Sequence, residues 1–249
     1  MKPAFRFVFL SARSFPAVSI LYWTPSNAVF TEGWTDPGGA DVVRRDLSEE
    51  AIFLARLLSE LLPQEPEALG LLALMLHAEA RRGARRDARG DYVPFDAQNP
   101  ALWNLQMIDE AEAQLLRASA LGAVGRYQLE GVLQSAHVYR RCTGHNNWAE
   151  VVQLWDALLA LTGSPVVAIN RALAIAEIEG ASAALRAMQE VSADARVAEY
   201  QPYWAARAEL LAKTGEHFEA RRAYEIAIGL ERDPAVRRFL QQRQSTLLA

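Results

Sequence analysis

Apolar residues recur at helical spacing through most of the chain, and the pattern is clearest between residues 46 and 80. Two apolar stripes follow each other there, one comprising Leu47, Ala51, Leu54, Leu58 and Leu61, the other Leu69, Leu72, Ala73, Leu76 and Ala80. Intervals of three and four residues place side chains on one helix face, so each stripe predicts a helix with a buried face. Asp46, with Glu49 three residues later, predicts the start of the first helix. Pro63 ends it and Glu65-Pro66 starts the second, which predicts a helical hairpin.

The rest of the chain also reads as helices separated by short turns. Three junctions place a capping side chain before a proline, namely Asn99-Pro100, Ser164-Pro165 and Asp233-Pro234. Glycines predict helix ends at Gly125, Gly144, Gly163, Gly180 and Gly215. No alternating β-run of useful length occurs. We therefore predict an all-α fold from about residue 40 onward.

The C-terminal third contains the spacing of a tetratricopeptide (TPR) helix pair. Its positions are Trp204, Ala208, Leu211, Gly215, Ala220, Tyr224 and Ala227. Three large residues, Trp155, Met188 and Tyr224, are separated by 33 and 36 residues, near the period of about 34 for this repeat class. Arg207 departs from the pattern, because the consensus prefers leucine there. The prediction is of helical hairpins stacked as an α-solenoid, TPR-like in the C-terminal half, with a generic hairpin array as the alternative.

These patterns divide the chain into three parts. Residues 1–38 are irregular and rich in proline and glycine, residues 39–122 form a helical hairpin domain, and residues 123–249 form TPR-like repeats. A solenoid with a poorly capped end would also allow self-association, so a homo-oligomer is possible.

Composition narrows the class of partner and the compartment. The 249 residues carry a formal net charge of −4, so no broad basic surface favours direct binding to DNA. A single cysteine, Cys142, excludes a disulfide within the chain, which fits a reducing cytoplasm. Arg6 interrupts the apolar residues near the N-terminus, and no apolar run reaches the length of a membrane span. We expect a cytoplasmic protein without a signal peptide or a membrane segment.

No catalytic or cofactor-binding signature occurs in the sequence. His137, Cys142 and His145 are the nearest approach to a metal site, but no fourth ligand accompanies them. We expect no catalytic residues, no metal and no cofactor, and a non-enzymatic protein. A less favoured alternative is an all-α hydrolase or small-molecule sensor within residues 40–122, which would require a deep polar pocket.

An arginine run follows the second predicted helix and supplies the first candidate site. Arg81, Arg82 and Arg85 could form a face for an anion or an acidic partner, since guanidinium groups present a planar fork of donors. The alternative is a salt-bridged helix end, because Asp87 and Asp91 lie close in sequence.

A second candidate lies in the apolar helix around residue 170. Asn170 and Arg171 interrupt the run VVAINRALAIA, where polar groups are costly unless they are satisfied. Similarity to peptide-binding TPR proteins implies that they line a concave groove, with Glu209 and Lys213 on the next inner helix, and hold a peptide backbone or carboxylate. The alternative is an internal network that joins adjacent repeats.

Several segments together resemble one bacterial family. They are FTEGW at 30–34, DLSEEAIFLARLLSELLPQEPEALGLLALMLHAEARRGARRD at 46–87, the turn from Gln98 to Trp103, Tyr127-Gln128-Leu129, and LWDALLALTGSPVVAINRALAIAE at 154–177. In this order they resemble the C-terminal, TPR-like extension of extracytoplasmic-function RNA polymerase sigma factors. The resemblance covers roughly residues 28–245.

The resemblance implies a regulatory role in transcription. A tail of this kind would contact the sigma modules, RNA polymerase or a regulator. The sigma modules themselves have no counterpart in the first 27 residues, so we expect no promoter binding from this chain. A free-standing TPR-like scaffold that binds peptides, without any link to polymerase, is the alternative.

Overall fold

The computed structural model describes residues 41–248, which contain eleven α-helices. They are α1 (Asp41–Leu61), α2 (Pro66–Ala80), α3 (Leu105–Ala120), α4 (Arg126–Thr143), α5 (Trp148–Thr162), α6 (Pro165–Glu179), α7 (Ala181–Gln189), α8 (Ala195–Ala198), α9 (Gln201–Lys213), α10 (His217–Leu230) and α11 (Pro234–Ser245). Short 3₁₀ helices lie at Arg82–Ala84, Phe95–Ala97, Pro100–Leu102 and Thr246–Leu248. The predicted irregular segment 1–38 and the FTEGW motif at 30–34 lie outside the described residues.

Helices that follow each other in the chain pack on each other in space. α2 packs against α1, α3 and α4, and the series then runs from α4 through α5, α6 and α7 to α9, α10 and α11. No β-strand occurs within residues 41–248. The prediction of an all-α, solenoid-like fold is confirmed.

The second predicted stripe lies on α2, the helix against which α1, α3 and α4 all pack. Its residues Leu69, Leu72, Ala73, Leu76 and Ala80 are all buried. Glu65 caps α2 by accepting a hydrogen bond from the Glu67 amide, and Pro66 occupies the first helical turn, as predicted. Because three helices surround α2, burial extends to nearly every one of its residues.

The predicted buried face of α1 is correct in part, because Ala51 is fully buried and Leu58 packs against the core, but the predicted cap and two of the leucines are wrong. The helix begins at Asp41, so Asp46 lies inside it and is not its cap. Leu54 and Leu61 are 37% and 67% exposed. The face that packs inward consists of Ser48, Ala51, Ile52, Ala55 and Ser59. Small side chains allow α1 to lie close to its neighbours, and Leu54 and Leu61 lie on the outward side of the helix.

A close approach between two helices joins α2 to α4. A Cβ atom added to Gly70 would lie 2.4 Å from the backbone nitrogen of Gln128, so only glycine fits. The Glu67 carboxylate accepts hydrogen bonds of 3.1 Å from the backbone amide of Tyr127 and thereby caps α4 from another helix. Gly125 begins α4 as its N-cap and does not end a helix, which corrects the prediction.

Most other predicted junctions are confirmed. The side chains of Asn99 and Asp233 accept hydrogen bonds from the amides of Ala101 and Ala235, at 3.0 and 2.9 Å. Ser164 precedes Pro165 at the start of α6, but its hydroxyl does not cap the helix. Gly144, Gly163, Gly180 and Gly215 end or follow helices with positive φ.

The TPR-like positions lie where two helices of a pair meet. In α9 and α10, Ala208, Ala220 and Ala227 are fully buried and Tyr224 is 1% exposed. Met188 of α7 is likewise fully buried in the preceding pair, α6 and α7. The small residues thus allow the two helices of a pair to approach each other closely, and the large residues fill the space between helices.

One loop joins distant parts of the chain. Residues 85–93, here called the arm, turn back on themselves through an antiparallel bridge between Arg86 and Tyr92 and a turn at Gly90. The arm reaches α11, where the rings of Tyr92 and Phe239 lie 5.5 Å apart. The loop between α2 and α3 therefore contacts the last helix.

Candidate interaction surfaces

Arg81 does not lie on an open surface. Arg81 is only 7% exposed. Its Nη2 donates a hydrogen bond to Gln134 Oε1 at 2.6 Å, and its Nε donates to the backbone oxygen of His77 at 3.2 Å. The guanidinium also lies 4.9 Å from the centre of the Phe95 ring. Burial lowers the pKa of Arg81 to about 10, still far above neutrality. Its contacts are internal and are made with neutral groups, and not with Asp87 or Asp91, the partners that the salt-bridged alternative named.

Arg82 and Arg85 are also engaged within the fold. Arg82 donates to Glu79 Oε1 at 2.7 Å and to Ser48 Oγ at 2.6 Å, which ties the end of α2 to α1. Burial lowers the pKa of Arg85, and Tyr92 of the arm lies within electrostatic range. Arg82 thus contacts α1 and α2, and Arg85 lies near Tyr92 of the arm. Whether they also bind a partner stays a prediction.

Asn170 and Arg171 are held by their own neighbourhood. Asn170 Nδ2 donates to the backbone oxygen of Val166 at 2.9 Å, one turn earlier in α6. Arg171 Nε donates to Asp156 Oδ1 of α5. Arg171 therefore links α6 to α5, whereas the hydrogen bond of Asn170 stays within α6. Whether the two residues also hold a partner stays a prediction.

Glu209 belongs to a three-residue network at the C-terminal end. Its carboxylate accepts hydrogen bonds from Arg243 at 2.6 and 2.7 Å and from the Tyr224 hydroxyl at 2.5 Å. Lys213 is exposed and forms no hydrogen bond or ion pair with another residue of the described range. The structure thus brings Glu209 together with α11, while Asn170 and Arg171 make their contacts with α5 and α6.

A surface depression lies elsewhere, between the loop after α7 and the pair α9–α10. This cavity, here called the notch, has a volume of about 440 Å³ and is open on one side. Its lining comprises Gln189, Ser192, Val197, Ala198, Tyr203, Trp204, Arg207, Glu219, Arg222, Ala223 and Ile226. Apolar and aromatic groups thus surround three charged side chains.

One residue of the notch departs from the repeat pattern in the sequence. Arg207 stands where the TPR pattern prefers leucine, and the structure places this side chain in the lining of the cavity. Nothing in the sequence marked Glu219 or Arg222 as residues of a cavity, because both resemble ordinary polar positions on the surface of a helix. The depression itself arises from the loop at 190–200, whose path no local pattern predicts.

The histidines and Cys142 do not gather into a metal site. Within residues 41–248, no group of three or more His, Cys, Asp or Glu residues is arranged to hold a metal ion. Burial lowers the pKa of His137 to about 4, with the Arg140 guanidinium adding to the effect, and its Nδ1 lies 3.0 Å from Arg140 Nη1. Cys142 is an exposed thiol. In the same range, no helix has the length and apolarity required to cross a membrane.

Comparison with known proteins gives two similarities. Residues 23–119 match a family described as "Family of unknown function (DUF6596)", a match that includes α1, α2, the arm and nearly all of α3. The chain is also 36% identical over 221 residues to an uncharacterized protein of Rhizobium meliloti (strain 1021), covering 89% of this chain and 52% of that protein. The chain therefore spans about half the length of this curated relative. No solved structure matches the chain.

Proposed function

We propose that this chain is a non-enzymatic protein-interaction module of the cytoplasm that modulates transcription initiation, as a sigma-factor tail would. Its partners are sigma modules, RNA polymerase or a regulator, and it acts through surface recognition without a cofactor. The observation that carries the proposal is the stacking of helix pairs in TPR spacing, with Met188 and Tyr224 buried at equivalent positions. Stacked helix pairs of this kind present extended surfaces that proteins use for binding other proteins.

The length of the relative is compatible with a module inside a longer protein. About half of that protein lies outside the region matched by this chain. A tail of a sigma factor would have such a neighbour, and the contact between tail and neighbour would then be part of its action. The link to transcription rests on the sequence segments between 28 and 177 that resemble sigma-factor tails.

A free-standing scaffold that binds peptides is the second candidate. The observation that favours it is the notch, because a half-open cavity beside the repeats suits short segments of another chain. This candidate shares the binding mode with the first and differs only in the partner.

Affinity capture separates the two candidates. The purified 249-residue chain, immobilised through an added tag, is incubated with extract of the organism that encodes it, at low and at moderate salt. Recovery of RNA polymerase or a sigma factor supports the transcription role, whereas recovery of another defined protein supports the scaffold. Absence of any specific protein at both salt concentrations contradicts both.

A variant adds a test of the predicted groove. Because Asn170 and Arg171 are bonded within α5 and α6, replacing both with alanine (N170A/R171A) is expected to leave capture unchanged and to lower the free energy of unfolding by about 1 kcal/mol. Loss of capture with unchanged stability would show instead that the groove holds the partner.

A further inference from the structure

We propose that the notch binds an acidic peptide segment in which a carboxylate lies next to an aliphatic side chain. The proposal rests on the proposed function, because it names the surface through which the module holds its partner. It is carried by the shape of the notch and by the arrangement of charges in it.

The notch has a rigid aromatic wall. Trp204 Nε1 donates to the backbone oxygen of Ala198 at 2.9 Å, which fixes the indole across the loop that follows α8. The rings of Tyr203 and Trp204 meet edge to face with centroids 5.2 Å apart, and Tyr203 is 3% exposed. A wall that is already ordered loses little conformational entropy when a ligand binds.

The apolar part of the lining is incompletely covered. Val197 and Ala223 are 2% and 3% exposed and close the deeper part, whereas Ile226 at the rim is 39% exposed. An aliphatic side chain of a ligand would bury the exposed part of Ile226 and contact the face of Trp204. The volume of about 440 Å³ falls within the range of about 300–1,000 Å³ that is usual for ligand sites.

The charges in the notch favour a carboxylate. Arg207 forms no hydrogen bond or ion pair with another residue of the described range. Arg222 meets Glu219 only at 3.8 Å, between Nη1 and Oε1, and both side chains are more than half exposed. An exposed ion pair at this distance contributes little, so a carboxylate that contacts both guanidiniums can replace it. Two arginines against one glutamate leave the notch with an excess of positive charge in a chain of net charge −4.

The openness of the notch favours a peptide as the source of that carboxylate. Its walls come from the loop after α7, from α9 and from α10, and the cavity is open on one side. A chain crossing the opening can insert two neighbouring side chains, one toward the arginines and one toward Ile226 and Trp204. Recognition of acidic motifs by paired arginines is a general mode of peptide binding.

Fluorine NMR with fluorotryptophan tests the proposal. The chain contains six tryptophans, and Trp204→Phe identifies the signal of the residue in the notch. The probes are the peptides acetyl-Glu-Leu-Asp-Leu-Glu-amide and acetyl-Lys-Leu-Lys-Leu-Lys-amide. We expect a saturable shift of the Trp204 signal with the acidic peptide and none with the basic one.

Paired variants show whether the arginines are responsible. The double variant R207E/R222E is expected to weaken binding of the acidic peptide by roughly tenfold or more. R207Q/R222Q is expected to weaken it less and guards against loss of folding by charge reversal. The control R186E/R232E makes the same change of charge at two exposed arginines outside the notch, and is expected to bind within about twofold of the native chain.

Three results would overturn the proposal. The first two are the absence of a saturable shift of the Trp204 signal at millimolar concentrations of the acidic peptide and an equal shift with the basic peptide. The third is tighter binding of an oligouridylate, added as a third probe, than of the acidic peptide. Capture of the partner from extract by R207E/R222E distinguishes this failure from failure of the proposed function. If the variant still captures polymerase or a sigma factor, the module acts through another surface and only the notch assignment fails.

Discussion

Arg86 Nη2 lies 2.5 Å from Asp233 Oδ2, although the two residues are 147 positions apart. Asp233 is also the N-cap of α11, so one carboxylate serves both the start of the last helix and the attachment of the arm. Arg238 of α11 donates in turn to Asp91 of the arm at 2.7 Å. Two ion pairs and the Tyr92–Phe239 contact thus join the hairpin domain to the C-terminal end of the repeats.

The two roles of Asp233 can be separated by substitution. Asp233→Asn keeps an oxygen for the Ala235 amide but removes the charge, so it is expected to cost less than about 1 kcal/mol of the free energy of unfolding. Asp233→Ala removes the cap as well and is expected to cost about 1–2 kcal/mol. Urea denaturation measures both. Equal losses would show that the ion pair, and not the cap, accounts for the contribution of Asp233.

Two helical glycines are predicted to respond to alanine in opposite directions. At Gly70 an added Cβ would meet the backbone of Gln128 at 2.4 Å, so Gly70→Ala must separate α2 from α4 and is expected to cost about 1–3 kcal/mol. At Gly229 of α10 nothing lies within 4 Å of the added atom. Gly229→Ala is therefore expected to gain up to about 1 kcal/mol from helix propensity. Thermal melts followed by circular dichroism compare them, and a Gly70→Ala protein as stable as the native chain would refute the close approach.

Arg81 and Arg89 belong to the same arginine-rich segment and differ in burial, so their alanine variants can be compared. Arg81 is buried with partners on two elements, whereas Arg89 is exposed. Arg81→Ala leaves Gln134 without its donor and opens space beside Phe95, and we expect a loss of about 2–3 kcal/mol. Arg89→Ala is expected to stay within about 0.5 kcal/mol. If urea denaturation finds both variants near the native stability, the arginines are not structural and the predicted acidic-partner face gains support.

The Glu209 network predicts a pH dependence at acid pH. Burial acts to raise the pKa of Glu209, but hydrogen bonds from Arg243 and Tyr224 outweigh it and leave the pKa below its ordinary value. A carboxyl with a lowered pKa in the folded state contributes stability above its unfolded pKa of about 4.3, and this is lost as the pH falls through the folded pKa.

Glu209→Gln is therefore expected to destabilise the chain by about 1 kcal/mol near neutrality and less as the pH falls toward about 3. Denaturation midpoints at both pH values give the difference. Glu60→Gln, at an exposed residue of α1, is the control. A cost of Glu209→Gln that does not shrink in acid would contradict the lowered pKa.

Local pattern predicted helix positions well and helix faces less well. The stripe of α2 was correct because the helix is surrounded, and any apolar stripe on it is buried. In α1 two faces compete, one with leucines and one with small residues, and hydrophobicity alone favours the leucines. The packing of Ala51 and Ala55 against neighbouring helices decides otherwise.

The candidate sites depended on contacts that sequence spacing does not contain. Arg81 meets Gln134, and Glu209 meets Arg243 after a turn and another helix. In the sequence, Arg81 and Glu209 looked available for binding a partner protein, because the residues that they contact lie 53 and 34 positions away. Arg207 was recognisable as a departure from the repeat, but its meaning required the path of the loop after α7.

Direct binding to purified transcription proteins is the decisive measurement. The immobilised 249-residue chain is exposed, in biolayer interferometry, to core RNA polymerase and separately to sigma factors from the organism that encodes it. We predict saturable binding to at least one of them, weakened by added salt because charged side chains take part. Absence of binding to both at tens of micromolar, by a chain whose circular dichroism shows it to be folded, would contradict the role in transcription.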